Sequence, residues 1–193
     1  MIKTTVVALT FMLLCIKASA EPLALKKIEQ DEFKVGSEAV EKLIAADNIG
    51  IATIPFDQNQ TFKLLKGGAE VVGYLFPVKF SSTYYRNTIC RLYLLAPDFN
   101  GGYVELLAER NSGDEIVRTC IGLNAVALDR NTNGTYYLAS VRYRIANHYG
   151  STGVALRIEE RTLIKVPKLD SCITRKGEVE SISLLRDRLR HCY

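Results

Sequence analysis

The chain has 193 residues, 25 of them basic and 21 acidic, with a formal net charge of +4. That length suits one domain, long enough to bury a sizeable core. So small a charge excess gives no ground for a nucleic-acid or anionic-lipid partner.

The N-terminus reads as an export signal. Met1-Ile2-Lys3 is a short basic start, Thr4 to Ile16 is almost wholly apolar, and Ala18-Ser19-Ala20 is a small-residue cleavage motif. The apolar run is too short to span a bilayer, and Leu13-Leu14 before Cys15 does not suit a lipoprotein signal. The expectation is a signal peptide over residues 1–20 and a single globular domain over residues 21–193, secreted or periplasmic. Lys3 and Lys17 leave with the leader, which brings the mature chain still closer to neutral. No later apolar run is long enough for a membrane span.

Residues 23–36 show no convincing period. "SEAVEKLIAADN" then reads as a helix over residues 37–48. Ser37 stands as N-cap, Glu38 and Glu41 lie near the positive helix end, and Val40, Leu43 and Ile44 share one face. Residues 49–166 are a β-rich body. "IGIATIPF", "EVVGYLFPVKF", "TICRLYLLA", "GYVELLAE", "EIVRTCIGLNAVAL", "TYYLASVRYRIA" and "GVALRIEERTLIKV" are its strand-like runs. Breaks such as "DFNGG", "RNSGD", "DRNTNG" and "NHYGSTG" favour hairpins, so the runs should pair as an antiparallel meander forming a sandwich or a barrel.

Alternation assigns faces within these runs. Tyr137, Ala139, Val141, Tyr143 and Ile145 should point inward, leaving Tyr136, Ser140, Arg142 and Arg144 outward. Cys90, Leu92 and Leu94 should point inward, leaving Arg91 and Tyr93 outward. Val154, Leu156 and Ile158 form a third inward set. Residues 178–192 then read as a C-terminal helix, with Val179, Ile182, Leu185, Leu189 and Cys192 on one face. Glu178 and Glu180 at its start and Arg186, Arg188, Arg190 and His191 at its end suit the helix dipole. The fold class is thus mainly β, with a short N-terminal helix and a stapled C-terminal one.

Four cysteines remain after the leader. An even number in an exported chain implies disulfides, and four permit three pairings. Cys172 sits just before the C-terminal helix and Cys192 lies on its apolar face, so Cys172–Cys192 is the preferred staple. Cys90 and Cys120 would then tie two strands together.

Catalytic signatures are missing: there is no metalloprotease helix, nucleophile elbow, phosphate loop, dinucleotide turn or paired CxxC, and no cofactor motif. "DRNTNG" places Asp129, Asn131 and Asn133 where a calcium loop wants oxygen ligands. Its twelfth position is Ser140 instead of glutamate and its ninth is Tyr137, so it reads as an Asn-Gly hairpin corner. Asn59 and Asn133 head N-glycosylation triplets, relevant only in a eukaryotic host. Tyr136, Arg142, Arg144, His148 and Tyr149, with Arg91 and Tyr93, form a basic-aromatic set suited to a recognition surface, against the bland reading of a solvated sheet face.

These features lead to a protein-binding module, such as an inhibitor or immunity protein acting on another secreted or envelope protein. A carbohydrate- or receptor-binding module that stacks sugars on tyrosine is the alternative. A hydrolase built on scattered carboxylates, or on a loop at 147–153, is the second. A non-reduced proteolytic digest is expected to release Cys90–Cys120 and Cys172–Cys192 linked peptides. A Cys90–Cys172 or Cys90–Cys192 peptide would refute that pairing.

Overall fold

A computed structural model describes residues 21–47, 57–81, 88–107, 119–131, 134–159, 161–175 and 177–192. The expected signal peptide, the strand at 49–56 and Asn133 lie outside these residues. Strands β1 (Leu23–Lys27), β2 (Phe62–Lys66), β3 (Glu70–Ser81), β4 (Thr88–Leu95) and β5 (Gly101–Glu105) form one sheet in sequential order. Strands β6 (Thr119–Asn131), β7 (Gly134–Ile145), β8 (His148–Glu159) and β9 (Thr162–Lys165) form a second, also sequential. Every pairing is antiparallel, as the meander requires. Both sheets end in open edges, so the structure is a sandwich and not a closed barrel.

The inward sets read from alternation meet between the sheets. Cys90, Leu92 and Leu94 of β4 pack with Tyr137, Ala139 and Val141 of β7 and with Val154, Leu156 and Ile158 of β8. Strand β6 touches β1, β3 and β4, so it runs across the first sheet instead of lying along one strand. Cys90–Cys120 joins β4 to β6 inside this core, with the Cα atoms 5.8 Å apart, and so links the two sheets.

The outward faces are also apolar, and helices cover them. Helix α1 (Gln30–Ala46) packs Val40 and Ile44 on Tyr74, Phe76, Val78, Phe80, Tyr93 and Leu95 of the first sheet. Helices α2 (Pro167–Thr174) and α3 (Ile182–Arg190) pack Leu169, Ile173, Leu185 and Leu189 on Tyr136, Leu138 and Ala155 of the second. The result is four layers, helix–sheet–sheet–helix, because a sheet apolar on both faces must be covered on both. Cys172–Cys192 staples α2 to the residue that follows the C-cap of α3. Each disulfide contributes about 2–4 kcal/mol by restricting the unfolded chain.

Several expected boundaries move. The N-terminal helix begins at Gln30 because Glu29 and Glu32 form a reciprocal capping box, so that the N-cap is Glu29 and not the expected Ser37. Ser37 sits inside the helix, its hydroxyl donating to the Phe33 carbonyl. The C-terminal helix begins after Ser181, whose side chain caps the Leu184 amide. "GVALRIEERTLIKV" divides into β8 and β9, which pair with each other. Strands β1 and β2 and helix α2 were not anticipated: the first two are short, and α2 announces itself only through Pro167 at its first turn.

Strand edges are covered by side chains. The long edge strand β6 is bulged at two places, and Lys79 and Arg186 donate to its Ile121 and Leu128 carbonyls at 3.1 and 3.0 Å. Because β9 is short, the first half of β8 has no strand beside it on that side. There the Val179 amide donates to the Ser151 carbonyl at 3.0 Å. Among the described residues no helix is long and apolar enough to cross a membrane.

Two substitutions test this packing. A Cβ at Gly36 would fall 2.1 Å from Phe76, so Gly36→Ala is expected to lose about 1–3 kcal/mol in urea unfolding. The Tyr137 hydroxyl is fully buried in the sandwich without a hydrogen-bond partner among the described residues. Tyr137→Phe should therefore gain about 1 kcal/mol, and a loss of stability would show that the hydroxyl is satisfied.

Candidate recognition surface

Two cations on the first sheet fix helix α1 at its ends. Near its start, Lys63 lies 2.9 Å from Glu29 and 2.7 Å from Glu32, with only 8% of its side chain exposed. Near its end, Arg91 reaches Asp47, the C-cap residue, at 2.6 Å and Glu105 of β5 at 3.2 Å. Its guanidinium also stacks 3.7 Å from the Tyr103 ring centroid. Burial raises the Tyr93 phenol to about 12, against the opposing pull of Arg91. Arg91 and Tyr93 were expected on a solvent face. Their direction is right, but α1 covers that face, and they are 3% and 0% exposed.

Tyr136 is corrected in the same way. It points away from the sandwich core, yet α2 and α3 lie over it and it is 2% exposed. Ser140, two positions beyond Leu138 on the same face, is buried too and donates to the Val179 carbonyl at 2.8 Å. Residues 177–180 form a strap over this region. Arg188 of α3 holds the strap by donating to the carbonyls of Ile173, Gly177 and Glu178 at 2.9, 2.6 and 2.8 Å.

Past Ser140 no helix of the described residues covers the outer face. Arg142 and Arg144 are exposed there, opposite buried Ser151 and exposed Tyr149 of β8. Paired residues in an antiparallel ladder share a face, so these four side chains lie together. Tyr149 is 63% exposed. Asn124 of β6 completes the polar floor, its amide nitrogen 3.4 Å from the hydroxyls of both Ser140 and Ser151. The β7–β8 ladder beneath runs from Thr135 to His148 without a register shift, so the platform is regular. The side chains of Arg142 and Arg144 make no ion pair or hydrogen bond among the described residues.

His148 belongs elsewhere. It is exposed on β8 opposite Ile145, on the other face of the sheet from Tyr149. The expected 147–153 loop is in fact strand, since the chain reverses at Ala146 and Asn147 and pairs again from His148. Ser151 and His148 point to opposite faces and cannot form a nucleophile–base pair. Asp129 of the weighed calcium corner is an ion-pair partner, 3.3 Å from the Arg186 Nε. Asn131 ends β6, opposite Gly134.

Asn124 and Ser151 were missed as members of this surface because cross-strand register is needed to bring them beside Arg142. The period-2 pattern alone located Arg142 and Arg144, whereas Tyr149 was expected in a loop and lies on β8 opposite Arg144.

The pH behaviour of the α1 clamp follows from its two partners. Burial works against the charge on Glu32, but hydrogen bonds from Lys63, the Glu29 backbone and Tyr74 outweigh it and lower its pKa below 4.5. The Glu32 contribution is therefore present above the unfolded value and lost as pH falls through the folded one. Lys63 is raised above 10.5 by its hydrogen bonds to Glu32 and Glu29, so its side of the clamp is lost only as pH rises through that raised value. Glu32→Gln is expected to cost about 1 kcal/mol at neutral pH. In unfolding curves its deficit should vanish once acid protonates Glu32 in the native protein, and a deficit constant with pH would mean that the clamp is not electrostatic. Comparison of the chain with protein-family models, with curated proteins and with solved structures gives no match.

Proposed function

We propose that this chain is an exported, disulfide-bonded protein-binding module acting as an inhibitor or immunity protein, and that it meets its partner with the helix-free end of the second sheet. The observation that carries this reading is the grouping of Arg142, Arg144 and Tyr149 on one exposed face of an unbroken β7–β8 ladder. Arginine and tyrosine are the residue types that supply most binding energy at protein interfaces, and a rigid platform lowers the entropy cost of docking. Two disulfides suit an oxidising compartment, in keeping with the leader-like first 20 residues. Exposed Tyr149 also supports the second reading, a glycan-binding module with the ring as a stacking platform.

The test is affinity capture from native envelope extract and culture fluid, with oxidised residues 21–193 as bait and Tyr149→Ala as its control. One protein should be recovered in fixed ratio by the wild type and lost with the variant, which truncates an exposed ring and leaves the core intact. Recovery of glycans released by free sugar would establish the second reading. Equal recovery by both baits would remove Tyr149 from the interface.

A further inference from the structure

The two arginines that mark this surface have a geometry of their own. Arg142 and Arg144 are alternate residues of one strand and point the same way. At ~3.3 Å of rise per residue their Cα atoms lie about 6.6 Å apart along the strand. An extended peptide lying along the platform repeats its own side chains at that same interval. Carboxylates on alternate residues of such a peptide would therefore meet both guanidinium groups without either chain bending.

Charge complementarity points the same way. Four cations of the described residues meet an anion that the protein itself supplies: Lys63 has Glu29 and Glu32, Arg91 has Asp47 and Glu105, Arg157 has Glu159, and Arg186 has Asp129, while buried Arg188 is held by backbone carbonyls. Arg142 and Arg144 have no such counter-ion among the described residues, although Glu178 stands nearby, its Oε1 3.1 Å from the position a Cβ on Gly150 would take. Their strand neighbours across the ladder are neutral: Thr119 and Gly122 on β6, Tyr149 and Ser151 on β8. The guanidinium plane favours paired hydrogen bonds to carboxylate, and an exposed ring opposite Arg144 offers an apolar wall for the residue between the acids or beside them.

Resting on the protein-binding reading above, we propose that the helix-free end of the second sheet takes an acidic, extended segment of a protein partner. In this arrangement Arg142 and Arg144 each receive one of two carboxylates spaced two residues apart, and Tyr149 packs beside them.

The experiment is an NMR titration of isotopically labelled oxidised residues 21–193, which registers weak as well as tight binding. The probes are a short peptide with alternating glutamate and valine, the same composition with its glutamates adjacent, a lysine counterpart, a sulfated oligosaccharide and vesicles containing phosphatidylserine. The alternating peptide should bind most tightly, with shifts concentrated at Thr119, Arg142, Arg144, Tyr149 and Ser151, and should weaken as salt rises. Arg142→Glu or Arg144→Glu should weaken it by about tenfold or more, and Arg144→Lys by less, because lysine keeps the charge but not the fork. Unchanged melting temperatures would show that these exposed substitutions leave the fold intact. No shifts with any peptide, equal binding by the charge-reversed variants, or a preference for the oligosaccharide or the vesicles would overturn the proposal. If the acidic peptides fail while a captured partner still depends on Tyr149, only this inference falls. If capture also loses its dependence on Tyr149, the protein-binding surface falls with it.

Discussion

From Tyr136 to Val141 strand β7 is buried on both sides, and a strand of that kind cannot stand at a boundary with water. Its inward residues Tyr137, Ala139 and Val141 need the other sheet, and its outward residues Tyr136 and Leu138 need a helical layer. The same holds for β4, whose Leu92 and Leu94 face the sandwich while Tyr93 and Leu95 face α1. Four layers satisfy both strands at once. The exposed surface then begins where the cover stops: Ser140 is the last outward residue of β7 under the strap, and Arg142 is the first beyond it. The extent of the α2–α3 layer thus decides which side chains of the second sheet a partner can reach.

Position of the layers is set by polar contacts as much as by apolar burial. Apolar contact between α1 and the first sheet is nondirectional and would tolerate sliding. Lys63 and Arg91 remove that freedom by engaging carboxylates at opposite ends of the helix. With the cations buried and their carboxylates partly exposed, these pairs add little net stability, but either cation left alone would be costly. On the other side of the molecule Arg188 performs the corresponding task with backbone carbonyls, fixing the strap that edges the recognition surface.

The disulfides act on different boundaries. Cys90–Cys120 crosses the sandwich core, where β6 lies across the first sheet. Cys172–Cys192 closes the outer helical layer, holding α3 against α2 over Tyr136 and Leu138. Between them they restrain both interfaces of the second sheet, the platform that carries Arg142, Arg144 and Tyr149.

Local pattern determined a good part of this protein by itself. Period-2 alternation named the inward faces of β4, β7 and β8, the breaks "DFNGG" and "DRNTNG" named two of the hairpins, and the place of Cys172 and Cys192 around one amphipathic helix named their pairing. These signals are legible because they depend on near neighbours alone. Whether an outward face meets water or a helix depends on a layer supplied from far along the chain, and no local period carries that information. Arg91, Tyr93 and Tyr136 were therefore assigned the correct direction and the wrong environment. The start of α1 was hidden because its capping box lies in a charged stretch without apolar period, while buried Gly36 fits only against Phe76. Only the tertiary structure could bring Asn124 and Ser151 beside Arg142, since strand register is a contact between distant segments and not a property of either one.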